Sequence, residues 1–135
     1  MTVFVCLDDE LGMAFGGRRQ SRDGKVVEDI FKECGEKALF ISPFSEGLTS
    51  PFGRVRVKKN PLFSAGRGDF CFIEDRGVSS YIKKIRRLVI YRWNRLYPAD
   101  LKFDINPLEC GFILGESSEL AGNSHERITK EVYVK

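Results

Sequence analysis

DFCFIEDRGVSSYIKKIRRLVIY, residues 69–91, decides the fold. FCFIE (70–74) and RLVIYRW (87–93, running two residues past the quoted stretch) are short runs of aromatic and β-branched residues and read as strands. Between them RGVSSYIKKI (76–85) brings Val78, Tyr81, Ile82 and Ile85 round to one face at helical spacing, so a helix is expected there. A strand, a helix and a second strand in that order predict a crossover between parallel strands.

The same order stands upstream. TVFVCL (2–7) is apolar throughout, as a strand buried on both faces would be, and Gly12, Gly16 and Gly17 punctuate a loop after it. Asp23 then suits the cap of a helix whose apolar set is Val26, Val27, Ile30, Phe31 and Cys34, with Gly35 as its stop. ALFIS (38–42) is a second buried strand, and PFSEGL (43–48) opens a short helix or turn. RVRV (54–57) alternates like a half-exposed strand, and the Gly, Pro and Asn content from Lys58 to Asp69 reads as loop. Downstream the chain bends at Pro98. LKFDI (101–105), GFILGES (111–117) and ERITKEVYVK (126–135) then alternate between turns, as antiparallel strands do. The expectation is one α/β domain over 1–135, in three layers, with a mainly parallel sheet and an antiparallel C-terminal hairpin.

Composition narrows the classes of function. With 135 residues, 42% hydrophobic and eleven Phe, the chain has the material for one core without metal or disulfide staples. Its net charge of +3 permits phosphate or RNA ligands without arguing for them. The four cysteines, Cys6, Cys34, Cys71 and Cys110, form no CxxC pair, and three of them lie on apolar positions, so they read as reduced core residues and not as a zinc site. No signal pattern opens the chain and no apolar run approaches membrane length; the expected compartment is the cytoplasm.

VCLDDELGM (5–13), KALFISPFSEGL (37–48), the 69–91 stretch and the closing GFILGESSEL…ERITKEVYVK together resemble the dihydrofolate reductase fold, in a shortened form. The resemblance implies a glycine-containing loop over a cleft, NADPH as cofactor, and a pterin-binding carboxylate at Asp23 or Glu28. The departures point away from pterin reduction. Arg19-Gln20 stands where the family has Pro-Trp, Ser42-Pro43-Phe44 where it has a glycine-arginine element for cofactor phosphates, and Glu74-Asp75-Arg76-Gly77 where it has a glycine pair. The chain is also similar to a group of short uncharacterised bacterial proteins sharing DDxxGMxFxxRRQSxD (Asp8 to Asp23), WNRxYPAD (Trp93 to Asp100) and SHExITxEVY (Ser124 to Tyr133). Some of these carry the label ribonuclease Z. Two-metal nuclease chemistry needs a cluster of histidines and aspartates, and His125 is the only histidine here, which excludes that chemistry.

Candidate site residues gather where the parallel strands end. GGRRQSRD (16–23) concentrates Arg18, Arg19 and Arg22 before a helix start, where guanidinium forks and free backbone N–H groups suit an anion. The competing reading pairs those arginines internally with Asp8, Asp9 or Asp23. RWNRLYPAD (92–100) interleaves Trp93 and Tyr97 with Arg92 and Arg95, a pattern that stacks bases or simply packs a turn. NSHER (123–127) offers one group titrating near neutrality, or turn chemistry with an exposed histidine. KKIRR (83–87) suits a solvated helix end. The leading expectation is an anionic, nucleotide-like small molecule held in the strand-end cleft by Arg18, Arg19 and Arg95, oriented by Asp9 and Asp23, and stacked on Trp93. The alternatives are a protein- or RNA-interaction module of the immunity or inhibitor type, and a small enzyme, either a diverged reductase or a His125-dependent nuclease. No metal is expected, and no catalytic set is visible.

Overall fold

Strand β1, Thr2–Leu7, lies in the middle of the main sheet because its side chains have no use for water: Val3, Phe4, Val5 and Leu7 are all fully buried. It pairs in parallel with β6 (Phe70–Phe72) on one side and β7 (Arg87–Arg92) on the other, Phe4 lying level with Phe72 and Val89. Beyond β6 come β4 (Leu39–Ile41) and the edge strand β5 (Val55–Val57), both parallel to it. Beyond β7 the direction reverses into β10 (Ile128–Val134) and the edge strand β9 (Ile113–Leu120). The order β5-β4-β6-β1-β7-β10-β9 is the mainly parallel sheet with an antiparallel C-terminal hairpin that the sequence predicts. The computed structural model describes residues 1–135.

Side-chain alternation along these strands feeds two apolar clusters, one on each face. Helix α1, Gly24–Cys34, covers one face with Val26, Val27, Ile30 and Cys34 packed on Phe4, Phe72, Val89 and Tyr91. Asp23 caps it by accepting from the Lys25 N–H at 2.9 Å, and Gly35 ends it with φ 62. The helix is tied to the sheet by polar contacts at its margin. Tyr91 O–H donates to Asp29 at 2.6 Å, Lys130 bridges Asp29 and Glu33 at 2.8 Å each, and Arg87 reaches Glu33 at 3.1 Å. α2, Pro43–Thr49, follows β4 directly. On the opposite face Val3, Val5, Leu7, Leu88 and Ile90 are covered by Leu62, Val78, Ile85, Phe103, Ile105 and Phe112. Leu62 comes from a single helical turn, α3 (Pro61–Ser64), within the stretch expected to be loop.

Two expectations need correction. Residues 76–85 do not form an α-helix: Ser79–Lys84 make two 3₁₀ turns broken at Tyr81, with φ −118 and ψ 16. The Asp104 carboxylate takes the Val78 N–H at 2.8 Å and also the Ser79 N–H, which pins the start of the segment, and Ser79-Ser80 contribute little helical propensity. The inward face survives in part: Val78 and Ile85 are buried, while Tyr81 and Ile82 pack at the margin. Next, the segment after β1 is a hairpin, not a loop. β2 (Gly12–Phe15) turns through Gly16 and Gly17, at φ 58 and 74, into β3 (Arg18–Arg19). Two successive positive φ values are what a tight hairpin turn requires, and glycine supplies them without strain. LKFDI supplies an antiparallel strand, as expected, and stands apart from the closing hairpin. Its strand, β8 (Leu101–Lys102), pairs with β2 in a separate three-stranded sheet, β3-β2-β8.

Candidate functional site

The parallel strands deliver three carboxylates to one end of the sheet, the start of α1 brings a fourth, and each is consumed inside the protein. Asp8, after β1, is buried. Its Oδ1 accepts from the N–H groups of Gly12 (2.6 Å) and Glu10 (2.9 Å), and its Oδ2 accepts from the Gln20 amide (2.8 Å) and the Tyr97 N–H (3.3 Å). Glu74, after β6, receives Arg19 as a fork, Nε to Oε1 and Nη2 to Oε2 both at 2.9 Å, together with the Ser45 hydroxyl at 2.8 Å. Arg19 also donates to the Phe44 carbonyl at 3.1 Å and lies 5.1 Å from the centre of that ring. Asp75 accepts from Ser42 Oγ at 3.0 Å and pairs with Arg76 at 3.1 Å. The opening arginines are therefore neutralised in part, but by Glu74 rather than by Asp8, Asp9 or Asp23.

Asp23 is the fourth. Its Oδ1 caps α1, and its Oδ2 accepts both the N–H and the hydroxyl of Ser124 at 2.8 Å. Ser124 Oγ lies 2.6 Å from His125 Nδ1, and His125 Nε2 lies 2.5 Å from the Tyr97 hydroxyl. With Asp23 ionised, the order of donation follows from the donors available. Ser124 gives its one proton to Asp23, so His125 must donate from Nδ1 to Ser124, which leaves Nε2 to accept from Tyr97. Neutral imidazole fits this chain. Burial pushes the His125 pKa down, Asp23 pulls the other way, and Arg95 adds to the lowering. The ring stacks on Trp93 at 4.8 Å. Gly122 lets the loop come this close, since a Cβ there would collide with the Asp23 carboxylate and with Ile128.

Burial alone would raise the Asp23 carboxyl, yet the hydrogen bonds from Ser124, Asn123 and Lys25 hold it below the usual carboxylate range. Glu33, held by Lys130 and Arg87, and Asp104, held by Ser79 and Val78, are lowered against burial in the same way. A carboxyl lowered on folding contributes stability above its unfolded pKa and loses it as pH falls through the folded value. Urea midpoints are therefore expected to decline modestly as pH falls below about 6.5, where the unfolded chain takes a proton that the folded His125 resists, and to fall steeply below about pH 4 as the carboxylates are protonated. A midpoint that holds through that acid range would show these carboxylates to be unpaired.

Two open grooves flank this network. One, of about 500 Å³, is lined by Gly17, Arg18, Arg19, Gln20, Ser21, Arg22 and Phe44. Arg18 and Arg22 are exposed there and enter no ion pair. The other, of about 550 Å³, runs between Trp93–Arg95 and Ser124–Arg127. Beneath the hairpin a small void touches Cys6, Gln20, Glu74 and Trp93, and Gln20 Oε1 is buried without a partner. Burial drives the Cys6 thiol well above its ordinary pKa, so it is no thiolate nucleophile. No group of three His, Cys, Asp or Glu side chains is arranged to hold a metal ion.

No protein-family model and no curated protein matches the sequence. Among solved structures, a dihydrofolate reductase from Enterococcus faecalis complexed with NADP(H) and RAB-propyl superposes with a TM-score of 0.68. It is 8% identical, and the match covers 98% of this chain and 94% of that one. The fold is that of dihydrofolate reductase. The likeness is one of architecture. Of the two carboxylates that the resemblance suggests for a pterin, Asp23 is saturated by the cap and Ser124, and Glu28 is exposed beside Lys25 at 3.5 Å and lines neither groove. Past the end of β6 stand Glu74 and Asp75, and the cations beside them, Arg19 and Arg76, are committed to those acids. These residues do not fit a dinucleotide pyrophosphate.

On this dihydrofolate reductase scaffold the six candidate residues separate into two groups. Asp23, Arg19 and Trp93 are built into the interior contacts just described, Trp93 with 4% of its surface exposed under His125. Arg18, Arg95 and Asp9 lie at the surface; Arg95 packs over the Tyr97 ring at 5.4 Å, and its carbonyl accepts the Asp9 N–H at 3.0 Å. Arg22, part of the arginine cluster, joins Arg18 in the first groove. The basic run 83–87 is divided as well: Lys84 donates to the Leu62 carbonyl at 2.7 Å and Arg87 pairs with Glu33.

Proposed function

We propose that this protein binds an anionic small molecule of nucleotide type at the strand-end face, in the groove of the β2–β3 hairpin. One observation carries the reading. Asp8, Asp23, Glu74 and Asp75 are spent on internal partners, while Arg18 and Arg22 stand exposed and without an ion-pair partner along a single groove. Two guanidinium groups offer forked donors that match phosphate oxygens, and Phe44, the one hydrophobic residue of the lining, offers a face for a base. Arg19 then holds the hairpin against Glu74, so that the groove is formed before ligand arrives. Arg95 adds a cation from the neighbouring groove. Catalysis by His125 is disfavoured, since both ring nitrogens already have partners.

Thermal shifts against ATP, NADPH and polyphosphate at low and moderate salt test this reading. A binding nucleotide is expected to raise the midpoint saturably. Arg18→Ala and Arg22→Ala are each expected to weaken that binding by roughly 10- to 100-fold, the equivalent of a charge-assisted bond of about 1.5–3 kcal/mol, with the unliganded melting temperature unchanged. The reading fails if none of the panel shifts the melt, or if Arg18→Ala unfolds the protein.

A further inference from the structure

We infer that this protein associates with copies of itself edge to edge, the β9 edge of one molecule docking beside the β5 edge of the next. The two edges of the seven-stranded sheet carry opposite charge. Residues 47–68, which include β5, contain no Asp or Glu but hold Arg54, Arg56, Lys58, Lys59 and Arg67. Residues 103–126, which include β9, contain no Lys or Arg but hold Asp104, Glu109, Glu116, Glu119 and Glu126. On the basic edge none of Arg54, Arg56, Lys58 and Lys59 has a carboxylate partner. On the acidic edge Glu116 is unpaired, and Glu119 has only the exposed Arg127 at 3.1 Å.

Exposure and strand direction agree with the charges. Every residue of β9 from Ile113 to Glu119 is exposed, Ile113 by 65% and Leu114 by 47%, and Val57 at the other edge is exposed by 37%. β9 runs antiparallel to β10, which runs antiparallel to β7, so β9 points the same way as the parallel strands and as β5. Continuing the sheet from one copy into the next therefore forms a parallel pair, like the pairs that already join β5, β4, β6, β1 and β7. Charge also selects against the symmetric alternatives. Pairing β9 with β9 sets an acidic edge against an acidic edge, and pairing β5 with β5 sets a basic edge against a basic edge. Unlike edges attract, and the contact they make is head-to-tail, which grows into rings or filaments instead of stopping at two. β5 has only three residues, so each junction is weak and depends on concentration and salt.

Sedimentation velocity on the purified full chain tests the inference, using E116K/E119K, R56E/K58E and, as a control for net charge, E10K/E28K. All six positions are exposed, so the substitutions leave the core alone. At low salt the average mass of the wild type and of the control is expected to rise with concentration past the dimer, and to return to monomer at high salt. Each edge variant alone is expected to stay monomeric, and mixing the two is expected to restore association, since the intact basic edge of one meets the intact acidic edge of the other. A wild type that remains monomeric at low salt overturns the inference. So does assembly that stops at a dimer, edge variants that associate like the wild type, or a mixture that stays monomeric.

Discussion

Glu74→Gln will lower the stability of this protein by about 3 kcal/mol, because it leaves the Arg19 guanidinium inside the strand-end cluster without its counter-charge. Arg19 is 16% and Glu74 7% exposed at the side chain, so water can do little for either once its partner is gone. The loss should appear in urea denaturation as a fall in midpoint at unchanged slope. Arg19→Met strands Glu74 with only the Ser45 hydroxyl and should lower the midpoint by a similar amount. The double variant Arg19→Met/Glu74→Leu should be more stable than either single change, since it removes both buried charges together. Additive losses in that cycle, or a Glu74→Gln protein within about 0.5 kcal/mol of wild type, would mean that solvent screens the pair and that it does not pin the hairpin.

That pair also shows why the site was less legible than the fold. β1, β6, β7 and α1 could be read because each is an apolar pattern within a few residues, and burial on the sheet rewards that pattern directly. The β2–β3 hairpin reads as a loop in sequence because β3 is two arginines long and carries no apolar alternation; its only local signal is Gly16-Gly17. The 76–85 segment has helical spacing, but the hydrogen bonds that override it come from Asp104, which no local pattern reveals. The site repeats this at longer range. Arg19 was visible as an arginine needing an acid, yet its acid lies 55 positions away in sequence. His125 looked like an exposed turn residue, and its neighbours Tyr97 and Trp93 are brought to it by the β9–β10 connection folding back over the end of β7. Strand-end convergence was readable from the order of elements alone; which charges cancel there was not.

Asp23→Ala will cost about 3 kcal/mol, combining the lost helix cap with the loss of the acceptor for Ser124, and it will change the emission of the single tryptophan. Without Oδ2 the Ser124 hydroxyl has no reason to keep its orientation, His125 loses the fixed acceptor at Nδ1, and its ring leaves the face of Trp93. The fluorescence change should therefore appear in native buffer, before any unfolding. Asp23→Asn separates the two roles. Its carbonyl still caps α1 at the Lys25 N–H, but the amide that replaces Oδ2 sets a donor against the Ser124 donors. It should thus reproduce the fluorescence change at a smaller loss of stability. His125→Gln should shift the emission in the same direction while leaving the cap intact. If Asp23→Asn destabilises the protein but leaves the tryptophan signal at its wild-type value, the loop is held by the stacking of His125 on Trp93, and Asp23 serves the helix alone.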